Sequence, residues 1–323
     1  MRALVMTKHG SPEVLQVQDR PKPEAGPGET LVRVTAAGIN FADLMARVGL
    51  YPDAPKPPSV VGYEFAGETE DGRRVIGGTR FGGYAEYVVS RSDQLIDLPE
   101  GWSFEEGAGL PVNYATAYAG LVRYGNLQAG ERVLIQAAAG GVGIAATQIA
   151  KAMGAEVWGT ASAGKHDAIT AFGVDHPIDY RSVDFAEAID EPLDLVMDAV
   201  GGKSFKKSYG LLRPGGRLIC FGASSVMKGE RRDIPTALKM LAQTPRFNPI
   251  KMASESKAVI GLNMLKIWDE RESINDFVDP LTEWIADGTI KPVVAKAFPL
   301  EQGPDAHRYL GEAKNVGKVV LTL

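Results

Sequence analysis

VLIQAAAGGVGIAATQIAKAMGA, running from Val133 to Ala155, places a β-branched apolar run, a turn of small residues and an apolar-faced helix in immediate succession. Val133, Leu134 and Ile135 suit a parallel strand buried on both faces. Ala137, Ala138 and Ala139 let the chain turn tightly, and Gly140 and Gly141 permit positive φ and a close approach to the backbone. Gly143 and Ala146 let the helix pack near the strand, while its N-terminus presents bare N–H groups suited to phosphate. A tight turn that holds no ligand produces similar spacing. Here a further strand, Ala155 to Thr160, follows the helix and completes a βαβ unit. The stretch therefore predicts a dinucleotide site, with Ala139, Gly140, Gly141, Val142 and Gly143 facing the phosphates.

The end of that second strand bears on which dinucleotide. NAD sites usually carry an Asp or Glu about 20 residues past the first glycines, where it accepts the ribose hydroxyls. This chain has Gly159-Thr160-Ala161-Ser162-Ala163-Gly164 followed by Lys165. No carboxylate stands there to repel a 2′-phosphate, and Ser162 and Lys165 can donate to one. The expectation is NADPH, with Thr160 in the turn and Lys165 and Tyr180 flanking the 2′-phosphate. The alternative for Lys165 is an ordinary solvated lysine at a helix start.

A chain of 323 residues suggests two domains. With 35 basic against 40 acidic side chains, the net charge of −5 argues against a general nucleic-acid binder. MRALVMTKHG lacks the apolar core and cleavage site of a signal peptide and reads as a first strand, which makes a cytoplasmic location the expectation. The most apolar window, interrupted by Gln136, glycines and Gln148, falls short of a membrane span. A single cysteine, Cys220, excludes disulfides within the chain and zinc held by several thiolates.

Residues 1 to about 116 read as short strands between turns, a β-rich, barrel-like unit: Leu31 to Thr35, Arg74 to Ile76 and Gly83 to Val89. From Leu127 onward strands alternate with helices: Val133 to Ile135, Glu156 to Thr160, His176 to Asp179, Leu193 to Asp198, Arg217 to Phe221 and Lys257 to Gly261. Val293 to Phe298 and Gly317 to Leu323 return to strand composition and are expected to rejoin the first unit. The interval from Ser224 to Glu255 fits neither pattern. It carries six basic residues (Lys228, Arg231, Arg232, Lys239, Arg246, Lys251) against three acidic ones, with three methionines between. A partly helical, mobile flap beside the cofactor is the leading expectation; a solvated surface helix, or a basic Met-bearing face for a partner or anionic lipid, are the alternatives.

A β-rich unit, an inserted nucleotide domain with AAAGGVG and a returning tail together resemble the medium-chain dehydrogenase/reductase superfamily over essentially the whole chain. Gly38-Ile39-Asn40-Phe41-Ala42-Asp43 with Gly49-Leu50-Tyr51-Pro52, then Gly62-Tyr63-Glu64-Phe65-Ala66-Gly67, then Val316-Gly317-Lys318-Val319-Val320-Leu321 resemble its zinc-free quinone oxidoreductase branch, which includes ζ-crystallin. Asn40 to Arg47 and Asn248-Pro249-Ile250-Lys251 are particularly similar to the synaptic vesicle membrane protein homologues of that branch. The resemblance implies an α/β fold: a Rossmann NADPH-binding domain at 117–262, inserted into a β-rich GroES-like catalytic domain at 1–116 plus 263–323.

Zinc alcohol dehydrogenases hold their catalytic metal with a Cys and the His of a Gly-His-Glu segment, and a second metal with a four-cysteine loop. Here Asn40 stands near the first cysteine, Tyr63 replaces the histidine and the cysteine loop is missing. His9, His166, His176 and His307 have no partner at ligand spacing, so no metal is expected. Without a Lewis acid, a simple ketone lacks help at its oxygen, whereas quinones and conjugated enones spread the developing charge. The expected reaction is hydride transfer from NADPH to a quinone or conjugated carbonyl.

The resemblance also assigns roles. Asn40, with the backbone from Phe41 through Asp43 and Leu44 to Met45, would approach the nicotinamide and the substrate oxygen. Tyr51 would be the hydroxyl donor at the substrate mouth, or else a turn aromatic packing on Pro52. Thr116 or Tyr118 would lie near the nicotinamide, and Tyr63 and Glu64 would be structural. The turns Ala199-Val200-Gly201, Phe221-Gly222-Ala223-Ser224 and Gly261-Leu262-Asn263 follow strand ends, where ligands sit in such sheets, and Asn315 would reach in from the tail. The strand Lys257 to Gly261 should form the sheet edge and, as in family members, pair across a twofold axis into a homodimer. Two other functions fit the same residues: an alkenal or enone reductase, and an NADPH-binding membrane-associated or interaction protein with little turnover.

Overall fold

Apolar runs too short to bury themselves become a sheet only by pairing with one another, and six of them do so here. The computed structural model describes residues 1–227, 229–231 and 233–323. Arg132–Ile135, Glu156–Ala161, His176–Asp179, Leu193–Asp198, Leu212–Cys220 and Ala258–Gly261 form one parallel sheet in the spatial order third, second, first, fourth, fifth, sixth. This is the doubly wound order, whose switch point lies between the first and fourth strands. Leu193–Asp198, beside that point, is buried at every residue, as a parallel strand covered by helices on both faces must be.

The second sheet joins distant parts of the chain. Its order is Val294–Pro299, Lys318–Thr322, Glu29–Ile39, Glu64–Thr69, Arg74–Gly78 and Ile96–Asp97, with Tyr87–Arg91 on the other half of the long strand Glu29–Ile39. The tail strand runs antiparallel to Glu29–Ile39, with Val319 opposite Ile39. Arg2–Met6, Leu15–Asp19 and Ser59–Val60 make a separate three-stranded sheet. One apolar core continues from Ala36, Ala66 and Ile76 of the β-rich part into Ile135, Ala145 and Met197 of the nucleotide part.

Three segments depart from the sequence expectation. The expected strand Gly83 to Val89 begins only at Tyr87, because the Gly83 and Tyr84 amides bond back to the Gly62 and Val61 carbonyls. The fifth parallel strand starts at Leu212, earlier than Arg217, and absorbs the Pro214-Gly215-Gly216 turn as a register shift. The interval from Ser224 to Glu255 holds a 3₁₀ turn, Ser224–Val226, and two helices, Ile234–Gln243 and Pro249–Glu255; Lys228 and Arg232 lie outside the described residues. Among the described residues, no helix is long and apolar enough to cross a membrane.

Candidate functional site

Close approach is what the glycine turn supplies. Gly140 caps the 12-residue helix Gly141–Ala152 in an extended conformation, φ −77°, and neither it nor Gly141 takes a positive φ. The left-handed residue of the turn is Ala137, φ 56°, which corrects the expectation that the glycines supply that freedom. A Cβ on Gly141 would stand 2.5 Å from Nδ2 of Asn113, and one on Gly143 would collide with the Ala137 carbonyl. The turn is braced from beneath: Thr160 donates to Gln136 Oε1 at 2.7 Å and accepts the Ala137 amide at 3.1 Å. Thr160, only 2% exposed, thus shapes the cradle from below.

The expected 2′-phosphate corner holds more charge than its own strand suggested. Lys165 Nζ donates to the Ala313 and Asn315 carbonyls, both at 2.6 Å, which ties it to the tail. Burial, with the neighbouring charge of Arg181, holds its pKa below the ordinary lysine range. Arg181 packs over the half-exposed Tyr180 ring and was not singled out from sequence; its place directly after Tyr180 was the available signal. The parallel register sets Asp179 beside Ala161, so a carboxylate does reach this corner, from the neighbouring strand. The Arg181 amide, then Ser182 and the Ala163 amide, hold that carboxyl below its usual range.

The remaining turns gather at the same carboxyl edge. Asp198, fully buried, accepts the Val200 and Gly201 amides and the Ser204 and Ser208 hydroxyls, fixing Ala199-Val200-Gly201. Phe221, Gly222, Ala223 and Ser224 follow the fifth strand, and the Ser224 amide bonds back to the Ala199 carbonyl. Gly261 and Leu262 end the sixth, and Asn263 caps the helix Met264–Arg271 through the Leu265 and Lys266 amides. Asn315 donates to the Gly317 carbonyl, and the Gly317 amide reaches the Ala139 carbonyl at 2.9 Å, so the tail is stitched directly to the glycine turn.

Facing this edge is a buried polar network that sequence reading missed. Lys318, 3% exposed, meets Glu64 at 2.5 Å and donates to Asn40 Oδ1 at 2.6 Å and Asn113 Oδ1 at 3.4 Å. Glu64 also accepts Asn40 Nδ2 at 2.9 Å and the Val112 amide at 2.8 Å. Asn40 is therefore locked at both ends of its amide, with a single Nδ2 hydrogen unassigned. A lone Lys in the apolar run Val316 to Leu321 was the signal that went unused.

Two side chains turn inward on the segment whose backbone is expected to approach the nicotinamide. Asp43 is fully buried and accepts the Asn40 and Gly62 amides and the Tyr84 hydroxyl. Burial pushes its pKa up to about 7 against those hydrogen bonds. It caps the helix Phe41–Val48 and pins the loop at Gly62. Leu44 lies wholly inside the core, because its helical position points it away from the cleft. Thr116 spends its hydroxyl on the Val112 carbonyl at 2.6 Å. Phe41 and Tyr51 stay half-buried, packed with Met227 of the Ser224 to Glu255 interval against the core of the β-rich part. That interval is also tied across by Glu230, whose carbonyl accepts Arg47 at 2.9 Å and whose carboxylate pairs with Arg308 at 2.6 Å. Burial, then the charges of Asp53 and Asp43, push the Tyr51 pKa up to about 12, so its phenol stays a proton donor. Among the described residues, no group of three or more His, Cys, Asp or Glu side chains is placed to hold a metal.

Comparison with known proteins agrees with this geometry. Residues 172–321 match the zinc-binding dehydrogenase family and residues 26–100 the alcohol dehydrogenase GroES-like domain. The chain is 39% identical to the synaptic vesicle membrane protein VAT-1 homolog of Danio rerio, over 99% of this chain and 70% of that one. The quinone oxidoreductase of Thermus thermophilus, whose crystal structures include a complex with NADPH, superposes with a TM-score of 0.85 at 36% identity over the full length of both chains. The human VAT-1 homolog-like protein superposes at 0.86 with 31% identity, over 100% of this chain and 98% of that one.

Proposed function

Because the chain belongs to the medium-chain dehydrogenase/reductase superfamily and is an oxidoreductase by that membership, we propose that it is a zinc-independent, NADPH-dependent reductase of quinones or conjugated carbonyls, acting as a cytoplasmic homodimer, with its domains divided at 116/117 and 262/263. The observation that carries this reading is the glycine turn at the sheet's switch point, with Asn113 packed against Gly141 and joined through Lys318 to Asn40.

The residues fit the cofactor. The N-terminus of Gly141–Ala152, which carries no side-chain cap, would offer its amides to a pyrophosphate, and Lys165 and Arg181 would supply positive charge at the ribose corner. When bound, the nicotinamide supplies hydride to an electron-poor carbon. Tyr51 holds its proton and donates it to the substrate oxygen as negative charge develops there. The Glu64–Lys318 pair fixes Asn40.

The test is an NADPH-oxidation screen across quinones, alkenals and enones, repeated with NADH. Turnover with a preference for NADPH is expected; a preference for NADH removes the cofactor assignment, and no turnover removes the reaction. Tyr51→Phe should lose turnover with little change in NADPH affinity, and a parental rate would exclude Tyr51 as the donor.

One observation favours a second reading. On Ile234–Gln243 the residues Ile234, Leu238 and Leu241 share one face and are half or more exposed, and Ile250 on the next helix is 82% exposed. Such a stripe, bordered by Lys239, Arg246 and Lys251, suits an anionic lipid surface. Co-sedimentation with phosphatidylserine vesicles at low salt, lost in Leu238→Glu, is the expected result; absence of parental binding ends that reading.

A further inference from the structure

Between the helix Gly303–Gly311 and the strand Lys318–Thr322 the returning tail touches the site at three places. It leaves the helix through Ala313, a left-handed residue at φ 51°. The carbonyls of Ala313 and Asn315 then accept hydrogen bonds from Lys165 Nζ, both at 2.6 Å. Asn315 Nδ2 donates to the Gly317 carbonyl at 2.8 Å, and the Gly317 amide reaches the Ala139 carbonyl at 2.9 Å. Lys318 follows at once and meets Glu64 at 2.5 Å and Asn40 Oδ1 at 2.6 Å. The segment 313–318 thus runs from the ribose corner, across the glycine turn, to the amide of Asn40.

Burial does not hold the near end of this segment. Glu312, Ala313 and Lys314 are all exposed, and a stretch with few buried contacts opens easily unless hydrogen bonds close it. Lys165 makes that closure from a fixed base: its own amide bonds to the Ser162 carbonyl at 2.9 Å, at the start of the helix His166–Ala171. Hydrogen bonds from an ammonium are stronger than those between neutral groups. Further along, Gly317 lies at φ 99°, and a Cβ there would stand 2.3 Å from the Val293 carbonyl oxygen, so the chain passes the turn with no room to shift. A lysine ammonium carries three hydrogens. Two of them go to neutral carbonyls, and no carboxylate pairs with Lys165 among the described residues, so one hydrogen and the whole positive charge stay available.

We propose that Lys165 is a positioning residue, whose ammonium clasps the tail onto the glycine turn and, through Lys318, sets the amide of Asn40. This rests on the reductase reading above and extends it. The clasp is made to the chain's own carbonyls, so it serves any nicotinamide dinucleotide, with or without a 2′-phosphate. The third hydrogen gives NADPH one contact that NADH lacks. One side chain thereby joins the choice of cofactor to the geometry of the reacting end.

Lys165→Met keeps an unbranched stem and removes the donors, and at a half-buried helix start it should fold. In the cofactor-free protein, hydrogen exchange read by mass spectrometry should show the peptide bearing the Gly317 amide exchanging roughly tenfold faster than in the parent, with the strand Arg2–Met6 at its parental rate. By calorimetry NADH, which has no 2′-phosphate, should bind roughly three- to tenfold more weakly, and NADPH should lose more. At saturating NADPH, kcat for 1,4-naphthoquinone should fall by a similar factor, because the slack reaches Asn40 through Lys318. Parental exchange at Gly317, or NADH affinity unchanged while NADPH weakens, overturns the inference and leaves Lys165 a phosphate contact alone. Faster exchange in Arg2–Met6 as well would report general loosening and overturns it too, and a parental kcat overturns the link to Asn40. Should the parent bind neither dinucleotide, the reductase reading fails by itself, and exchange at Gly317 alone decides the clasp.

Discussion

Lys318 and Glu64 are charges buried in an apolar sheet, and each is tolerable only because the other is there. Removing one partner of such a pair strands the other charge and costs about 3–5 kcal/mol. Lys318→Met should therefore lower unfolding stability by that amount in urea titration, and a loss under about 1 kcal/mol would mean the pair is solvated. Room for the pair depends on Gly38, where a Cβ would stand 2.6 Å from Glu64 Oε1 and 2.7 Å from Lys318 Cε. Asp43 predicts a pH effect. Its folded pKa of about 7 lies above the usual aspartate value, so folding favours its protonated form. The stability this contributes is present below about pH 4 and is lost as pH rises through 7. The melting temperature of the parent relative to Asp43→Asn should fall between pH 5 and pH 8; a difference that stays constant across that range would show that the hydrogen bonds from Asn40, Gly62 and Tyr84 outweigh burial and keep the carboxyl ionised. Neither feature could be read from composition. Asp43 sits in a segment whose pattern suggested a cofactor contact, and only the loop at Gly62 and the Tyr84 hydroxyl arriving from elsewhere show why the carboxyl turns inward.

The helix Gly141–Ala152 and its turn were legible because strand, small residues and helix are consecutive, so local sterics fix them. What remained hidden was how each glycine is used. Gly143 is needed because the Ala137 carbonyl occupies its Cβ position, and forcing a methyl into such packing costs about 1–3 kcal/mol. Gly143→Ala should lower the melting temperature and weaken NADPH binding at least tenfold by calorimetry; unchanged affinity would place the pyrophosphate elsewhere. The Ser224 to Glu255 interval was less legible. Its basic charge is plain in the sequence, but the anchoring of Glu230 by Arg47 and Arg308, and of Met227 on the core of the β-rich part, is a contact between segments far apart in the chain.

At the scale of the molecule, Ala258–Gly261 ends the parallel sheet and leaves its outer edge unpaired within the chain among the described residues. An apolar edge strand is a template for another chain. Light scattering should therefore report twice the chain mass, and a mass of one chain at micromolar concentration would refute the homodimer. The sequence by itself determined the βαβ succession, the number of parallel strands and the family motifs, because hydrophobic period and glycine placement act over a few residues. Tertiary structure decided which charges meet. Asn40 and Lys318 lie 278 residues apart and become partners only when the tail strand pairs with Glu29–Ile39. Asp179 comes beside Ala161 only through parallel register. Burial and long-range pairing are properties of the assembled chain, and those two properties set the protonation and the hydrogen-bonding capacity of the site.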